Sequence, residues 1–402
     1  MPDLVAIDHI LAARERLSGV IQATPLQTSD AASAAAGART YLKCEHLQRT
    51  GSFKMRGAYN RIVTLSDPER ERGVVCASAG NHAQGVALSA QLTGTRARVF
   101  MPAGAPLPKV AATRAYGAEI TLVDGGVDRA LEAATAHAER TGSTVVHPFE
   151  HPDIIAGQGT LGLDVLDDVP DLGTVVVPIG GGGLISGVAA AIKALRPETR
   201  VIGVQAERAA AVPASLAAGH PVRVPVGDTI ADGIAVARPG ELTFAHIAAL
   251  VDDVVTVSDD AIARAVLLLA ERAKQVVEPS GAAGLAALLA GSVRVTEPVV
   301  VLLCGGNVDP LLLVRIIQSG LVSEGRYLDL RTRLPDRPGA LSALLGQVAD
   351  AGANVVAIEH HRMMRALDLM EVELQLAVET RGPDHGAELI GRLRSAGYSI
   401  DS

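Results

Sequence analysis

The sequence predicts an α/β protein in two parts: a large two-lobed unit built on parallel sheets, then a small βαββαβ module. Three observations carry this reading. Short apolar strands alternate with longer helical stretches from Ile7 to Leu303, the pattern of parallel α/β sheets. Strands in that region run into glycine-rich turns, and open α/β sheets gather ligands at such carboxyl ends. The composition then shifts across Ser319 to Arg326, and the remaining chain changes to strand-like alternation.

Taken in order, Ile7 to Val20 reads as an amphipathic helix and Tyr41 to Glu45 as a short strand. The stretch from Lys54 runs into a helix through Leu65. Gly73 to Ala77 is a buried strand by its β-branched content, followed by a helix from Asn81 to Leu92. Strand Ala97 to Met101, helix Pro108 to Tyr116, strand Glu119 to Val123 and helix Val127 to Arg140 follow. The alternation resumes with strand Thr174 to Pro178, helix Leu184 to Leu195 and strand Arg200 to Val204. Helices Asp259 to Glu271 and Gly281 to Ala290 precede strand Pro298 to Leu303. The expected lobes are a smaller one, about residues 41–144, inserted in a larger one, together spanning residues 1–322. The module over residues 325–402 reads as strand Tyr327 to Leu334, helix Ala340 to Ala351, strands Asn354 to His361 and Met370 to Glu379, helix Asp384 to Ala396 and strand Tyr398 to Ile400.

Composition narrows the function. At 402 residues the chain exceeds one typical core. Aromatics make up 2% with no Trp, and the net charge is −8. Both argue against a nucleic-acid partner, which rewards stacking rings and a basic face. Three cysteines, Cys44, Cys76 and Cys304, show no metal-ligand spacing, and their sparse, odd count suits a reducing cytoplasm. No signal peptide is read before Asp8, and no uninterrupted apolar run of membrane length occurs. A soluble, cytoplasmic protein without a membrane partner is expected.

Four stretches carry candidate chemistry. Lys54 lies in Thr50-Gly51-Ser52-Phe53-Lys54-Met55-Arg56-Gly57-Ala58. A lysine at a helix start is usually a solvated charge, but one that forms a Schiff base must lose its proton, and Phe53 beside it offers desolvation. Gly180-Gly181-Gly182-Gly183-Leu184 separates a strand from a helix. Without Cβ atoms its amides can converge on an anion, and the helix dipole assists. The bland reading is a flexible loop, yet such loops seldom follow a buried strand so abruptly. Neither a Walker loop nor a dinucleotide fingerprint is met. Ser78-Ala79-Gly80-Asn81-His82 can form a carboxylate nest, against simple helix capping by Ser78. His82 alone would more often be structural. Cys304-Gly305-Gly306-Asn307 ends the last buried strand, where Cys304 could meet a ring nitrogen or simply fill the core. Together these suit a lysine-bound pyridoxal phosphate.

The runs SFKMRGA, SAGNHAQG, GGGGL and CGGN, in this order, resemble the pyridoxal-phosphate enzymes of the tryptophan-synthase-β fold (fold type II). Within them they are similar to the threonine dehydratases (threonine ammonia-lyases), with serine dehydratase and serine racemase as near relatives. HPFEHPDIIAGQGT, His147 to Thr160, is similar to a further run of that family. The resemblance covers about Ile7 to Leu321, and residues Gly325 to Ser402, with DRPGAL at Asp336 to Leu341, resemble an ACT regulatory domain. It implies that Lys54 holds pyridoxal 5'-phosphate covalently and later takes the Cα proton, with Phe53 packed beside the ring. Asn81 would meet the ring hydroxyl, Gly180, Gly181, Gly182, Gly183 and Leu184 the phosphate, and Cys304 the pyridine nitrogen. Ser78, Ala79, Gly80, Asn81 and His82 would receive the substrate carboxylate, and Glu278 would lie near the cofactor's edge. Serine racemase carries a serine where this chain has Ala79. Some relatives bind a divalent metal through a Glu and an Asp; here Glu207 is present but Pro213 stands at the second place, so no metal is expected. The implied reaction is dehydration and deamination of L-threonine, with L-serine lesser. An amino-acid effector at the ACT-like module and a homo-oligomer, dimer or tetramer, are also implied. The alternatives are a serine racemase or dehydratase, or a non-catalytic amino-acid sensor.

Overall fold

The computed structural model describes residues 2–361 and 370–401. They fall into two compact units, Met1–Asp309 and Pro310–Ser402.

The first unit holds two sheets. A six-stranded sheet runs Leu26–Thr28, Thr40–Lys43, Val299–Leu302, Thr174–Pro178, Arg200–Ala206 and Asp253–Val257. Only the first pairing is antiparallel; all others are parallel. The four-stranded sheet runs Glu119–Val123, Ala97–Pro102, Val74–Ala77 and Thr144–Val145, parallel throughout. Strands such as Val175-Val176-Val177 and Val299-Val300-Val301 are wholly buried, as sheets covered on both faces require. The strand read from Tyr41 as opening the smaller lobe belongs instead to the larger sheet, where Thr40–Lys43 pairs with Val299–Leu302. A short apolar strand carries no local signal of which sheet will accept it.

Helix ends follow local chemistry. Ser29 and Ser258 accept from the amides of Ala32 and Ala261, and glycines with φ of 61° and 69° at Gly37 and Gly94 close two helices. Several elements were silent in the sequence: the helices Asp30–Ala36, Pro152–Asp168 and Glu241–Leu250, and the strands Leu26–Thr28 and Asp253–Val257. Pro152–Asp168 escapes a periodicity reading because it is buried on nearly every side, from Ile154 to Leu163. Glycines make that depth attainable. A Cβ at Gly157 would stand 2.6 Å from the Arg56 carbonyl oxygen, and one at Gly187 would stand 2.2 Å from that of Ile155. The helix Lys54–Val63 therefore rests directly on the backbone of Pro152–Asp168.

Arg56, two residues after Lys54, anchors this crossing. Its fully buried guanidinium meets both Glu45 oxygens at 2.8 Å, Asp164 at 2.7 Å and the Thr160 hydroxyl at 3.0 Å. Burial pushes the Glu45 carboxyl up, but the Arg56 charge and hydrogen bonds outweigh it and hold the group below its usual range. A fork-on-fork pair of this kind fixes direction as well as distance.

The second unit has the helix Pro310–Ser323 followed by the order βαββαβ. Its antiparallel sheet runs Asn354–His361, Glu371–Glu379, Tyr327–Pro335 and Ile400–Asp401. Leu330, Leu334, Leu344, Leu374, Leu376 and Leu389 form its core.

Candidate active site

The first unit brings three of the four sequence stretches to the carboxyl ends of its strands. Val74–Ala77 leads into Ser78, Thr174–Pro178 into Gly180, and Val299–Leu302 into Cys304. Lys54 starts its helix beside them: the Phe53 amide donates to the Cys304 carbonyl at 3.1 Å, and Ser52 bridges to Gly305.

The Lys54 side chain is half-buried. Its Nζ donates to the Pro148 carbonyl at 2.9 Å and lies 5.1 Å from the Phe53 ring centroid. Burial lowers its pKa from 10.5 to about 8, with the Glu278 carboxylate pulling the other way. Such an amine has a usable neutral fraction near neutral pH.

Gly181, Gly182 and Gly183, in the run after Thr174–Pro178, are each required by what they touch. A Cβ at Gly181 would lie 2.2 Å from the Phe149 ring, and one at Gly183 2.8 Å from the Phe149 Cβ. Gly182 has φ of 98°, and a Cβ there would strike Thr243 at 2.9 Å. The helix Gly183–Leu195 has no side-chain cap, and the amides of Gly181 to Leu184 meet no protein acceptor among the described residues. Buried amides without acceptors are costly, so this cradle is shaped for an anion such as a phosphate.

Cys304 is buried, its thiol pushed well above the ordinary value by burial and donating to the Leu302 carbonyl at 3.4 Å. It stays a neutral thiol. Asn81 is locked from both sides: its Nδ2 donates to Glu278 Oε1 and its Oδ1 accepts from Asn307 Nδ2, each at 2.7 Å. One Nδ2 hydrogen remains for a ligand. Glu278 is pushed up to about 7, first by burial and then by the Asp232 carboxylate. Ser78 Oγ accepts from the Gly80 amide at 3.1 Å, and the helix Asn81–Thr93 begins without a side-chain cap. Ala79 and Gly80 are half-buried at this opening. His82 differs from the others: its ring is buried and donates Nε2–H to the Val146 carbonyl at 2.8 Å, so only its amide lies at the helix start. Burial, then Lys54, pushes its pKa down to about 3, leaving the ring neutral.

Residues to which the sequence assigned no role complete the site. His147 Nδ1 accepts from the amides of Phe149 and Glu150 at 3.3 and 2.8 Å, and its ring meets Phe149 edge-on at 4.6 Å. This folds the loop that gives Lys54 its acceptor. Ser52 and Ser280 hydroxyls are buried with no partner. Glu207 lies in the turn Glu207–Ala209 and Pro213 in the helix Ala211–Ala218. No group of three or more His, Cys, Asp or Glu side chains is arranged to hold a metal among the described residues. No helix there is long and apolar enough to cross a membrane.

A lysine with a lowered pKa, an uncapped glycine cradle and a neutral thiol together suit pyridoxal phosphate. The family comparison agrees: residues 17–305 match the model described as pyridoxal-phosphate dependent enzyme, and the chain belongs to that family. Over 397 residues it is 47% identical to the L-threonine ammonia-lyase of Thermotoga maritima, covering 99% of both chains. A solved threonine deaminase from T.th. is 43% identical with a TM-score of 0.72, over 76% of this chain and 99% of that one. Maize serine racemase is 38% identical with a TM-score of 0.75, over 80% of this chain and 100% of that one.

Proposed function

We propose that this enzyme converts L-threonine to 2-oxobutanoate and ammonia, with L-serine giving pyruvate as a lesser activity. The observation that carries the reading is Lys54: a desolvated amine held by the Pro148 carbonyl, next to the Phe149 ring that packs on an uncapped glycine cradle, in a chain nearly half identical to an L-threonine ammonia-lyase over its full length. Pyridoxal phosphate, when bound, withdraws electrons from the substrate Cα. The chain supplies the rest. Gly180 to Leu184 would hold the phosphate through their amides, and Lys54 would be the attachment point. Phe53 would flank the ring, Asn81 would offer its remaining Nδ2 hydrogen to the ring hydroxyl, and the neutral Cys304 thiol would meet the pyridine nitrogen. The amides of Ala79 to His82 and the Ser78 hydroxyl receive the substrate carboxylate at a helix start. Lys54, as a neutral amine, removes the Cα proton. Water leaves from Cβ and is returned when the released enamine hydrolyses, so threonine yields one ketoacid and one ammonia.

Ala79 supports a lyase over a racemase. Inversion at Cα needs a proton carrier on each face, and a methyl group carries none. Incubation with L-threonine and L-serine, followed by ketoacid assay and chiral chromatography, tests both points. The expected products are 2-oxobutanoate and pyruvate without D-amino acids. D-serine forming as fast as pyruvate would overturn the assignment.

The second unit supports regulation. Its order βαββαβ suits an ACT-like domain, and it contains none of the residues placed at the cofactor. An amino-acid effector and a homo-oligomer follow from that reading. Removing residues 324–402 should leave threonine turnover within about twofold while abolishing any response to isoleucine or valine. A response that survives the deletion would assign the effector site elsewhere.

A further inference from the structure

The two lobes of the first unit meet in two very different ways. On one side the helix Lys54–Val63 lies on Pro152–Asp168, with glycines at the crossing and the buried Arg56 cluster beneath. Elsewhere the lobes are joined through charged side chains. Lys109 Nζ, on the helix Leu107–Ala115 of the smaller lobe, pairs with Asp232 Oδ2 of the larger lobe at 3.0 Å. Arg223 pairs with Asp128, on the helix Val127–Thr141, at 3.4 Å. Both carboxylates are largely exposed, Asp232 at 62% and Asp128 at 77%.

The turn Asp232–Ile234 is packed onto the site itself. A Cβ at Gly233 would lie 2.9 Å from the Ser280 hydroxyl, and one at Gly180 would lie 3.2 Å from the Ile234 Cα. This turn therefore covers the glycine cradle and Glu278 while Asp232 reaches across to Lys109.

We propose that Lys109 and Asp232 form a positioning pair, a latch that holds the lobes shut over the bound amino acid at the mouth of the cleft. The inference rests on the threonine-lyase reading above. Glu278 lies near both members: Asp232 raises its pKa and Lys109 lowers it. Removing Lys109 thus loses the latch and also leaves two carboxylates uncompensated. Removing Asp232 loses the latch but relieves that repulsion. The two losses are unequal, and they are coupled.

The test uses the cofactor-loaded full chain as Lys109→Met, Asp232→Asn and the double variant. A partly exposed pair contributes modestly, so Asp232→Asn should raise KM for threonine about two- to fivefold with kcat nearly unchanged. Lys109→Met should raise KM further, and the double variant should match Asp232→Asn rather than the product of the two single effects. Added salt should raise the wild-type KM and leave the double variant flat. Hydrogen exchange without substrate is the independent arm: residues 228–236 should exchange faster in all three variants, while residues 54–63 stay protected. Multiplicative KM effects, a fall in kcat alone, or unchanged exchange at 228–236 would overturn the latch. Absence of 2-oxobutanoate from the wild type would instead refute the proposed function, and the exchange arm would still judge the latch.

Discussion

Lys54→Ala is expected to abolish 2-oxobutanoate formation while leaving the fold in place. The side chain is half-buried and donates one hydrogen bond to the Pro148 carbonyl, so its loss removes little packing. Its amine is nonetheless the attachment point assigned to the cofactor. Circular dichroism and melting should be near wild type, while cofactor no longer survives dialysis; substantial turnover in the purified variant would sink the assignment. The same amine sets a pH dependence. With a pKa of about 8, roughly a tenth of it is neutral at pH 7. Covalent capture of pyridoxal phosphate by stripped protein should speed up about tenfold per pH unit below 8 and level off above it. A rate flat between pH 6.5 and 9 would contradict the lowered value. The linkage to stability has a definite sign. The unfolded chain binds this proton up to the ordinary value of 10.5, so in the stripped protein this group's contribution rises between pH 8 and 10.5.

Gly181→Ala should damage stability and cofactor binding together. That methyl would sit 2.2 Å from the Phe149 ring, which is wedged edge-on against His147. Phe149 must move, and Pro148 before it carries the carbonyl that holds Lys54. One substitution therefore deforms the anion cradle and releases the lysine together. Overpacking of this kind costs about 1–3 kcal/mol of stability. Cofactor affinity should fall at least tenfold, about 1.4 kcal/mol or more. Equilibrium titration of the stripped variant with pyridoxal phosphate, alongside its melting curve, measures both. Wild-type affinity would show that Phe149 yields freely and that the cradle is looser than its contacts require.

Much of this site was legible in the sequence because its parts are local. Gly180 to Leu184, Ser78 to His82 and Cys304 each follow a buried strand, and glycine or small polar residues there have a direct backbone reason. What stayed hidden depends on distant partners. The Arg56–Glu45 pair joins a helix to a turn eleven positions earlier, and its third member, Asp164, lies on a helix that shows no amphipathic face. Asp232 and Lys109 read as surface charges, and only the approach of two lobes pairs them. His82 misleads for the same reason. Its amide sits at the helix start, but the ring follows the next turn of the helix into the smaller lobe's core.

The glycine contacts beneath the active site also govern how this enzyme can be made more robust. Replacing a helix-interior glycine by alanine is ordinarily among the safest routes to thermal tolerance, at about 1 kcal/mol each. At Gly57, Gly157 and Gly187 that route is closed, since every added methyl would enter backbone or the Gln158 side chain within 2.6 Å. Gly346 and Gly391, on helices of the second unit, meet nothing within 4 Å. Hardening by design can thus begin in the second unit, whereas the helix crossing under Lys54 must keep the sequence it has.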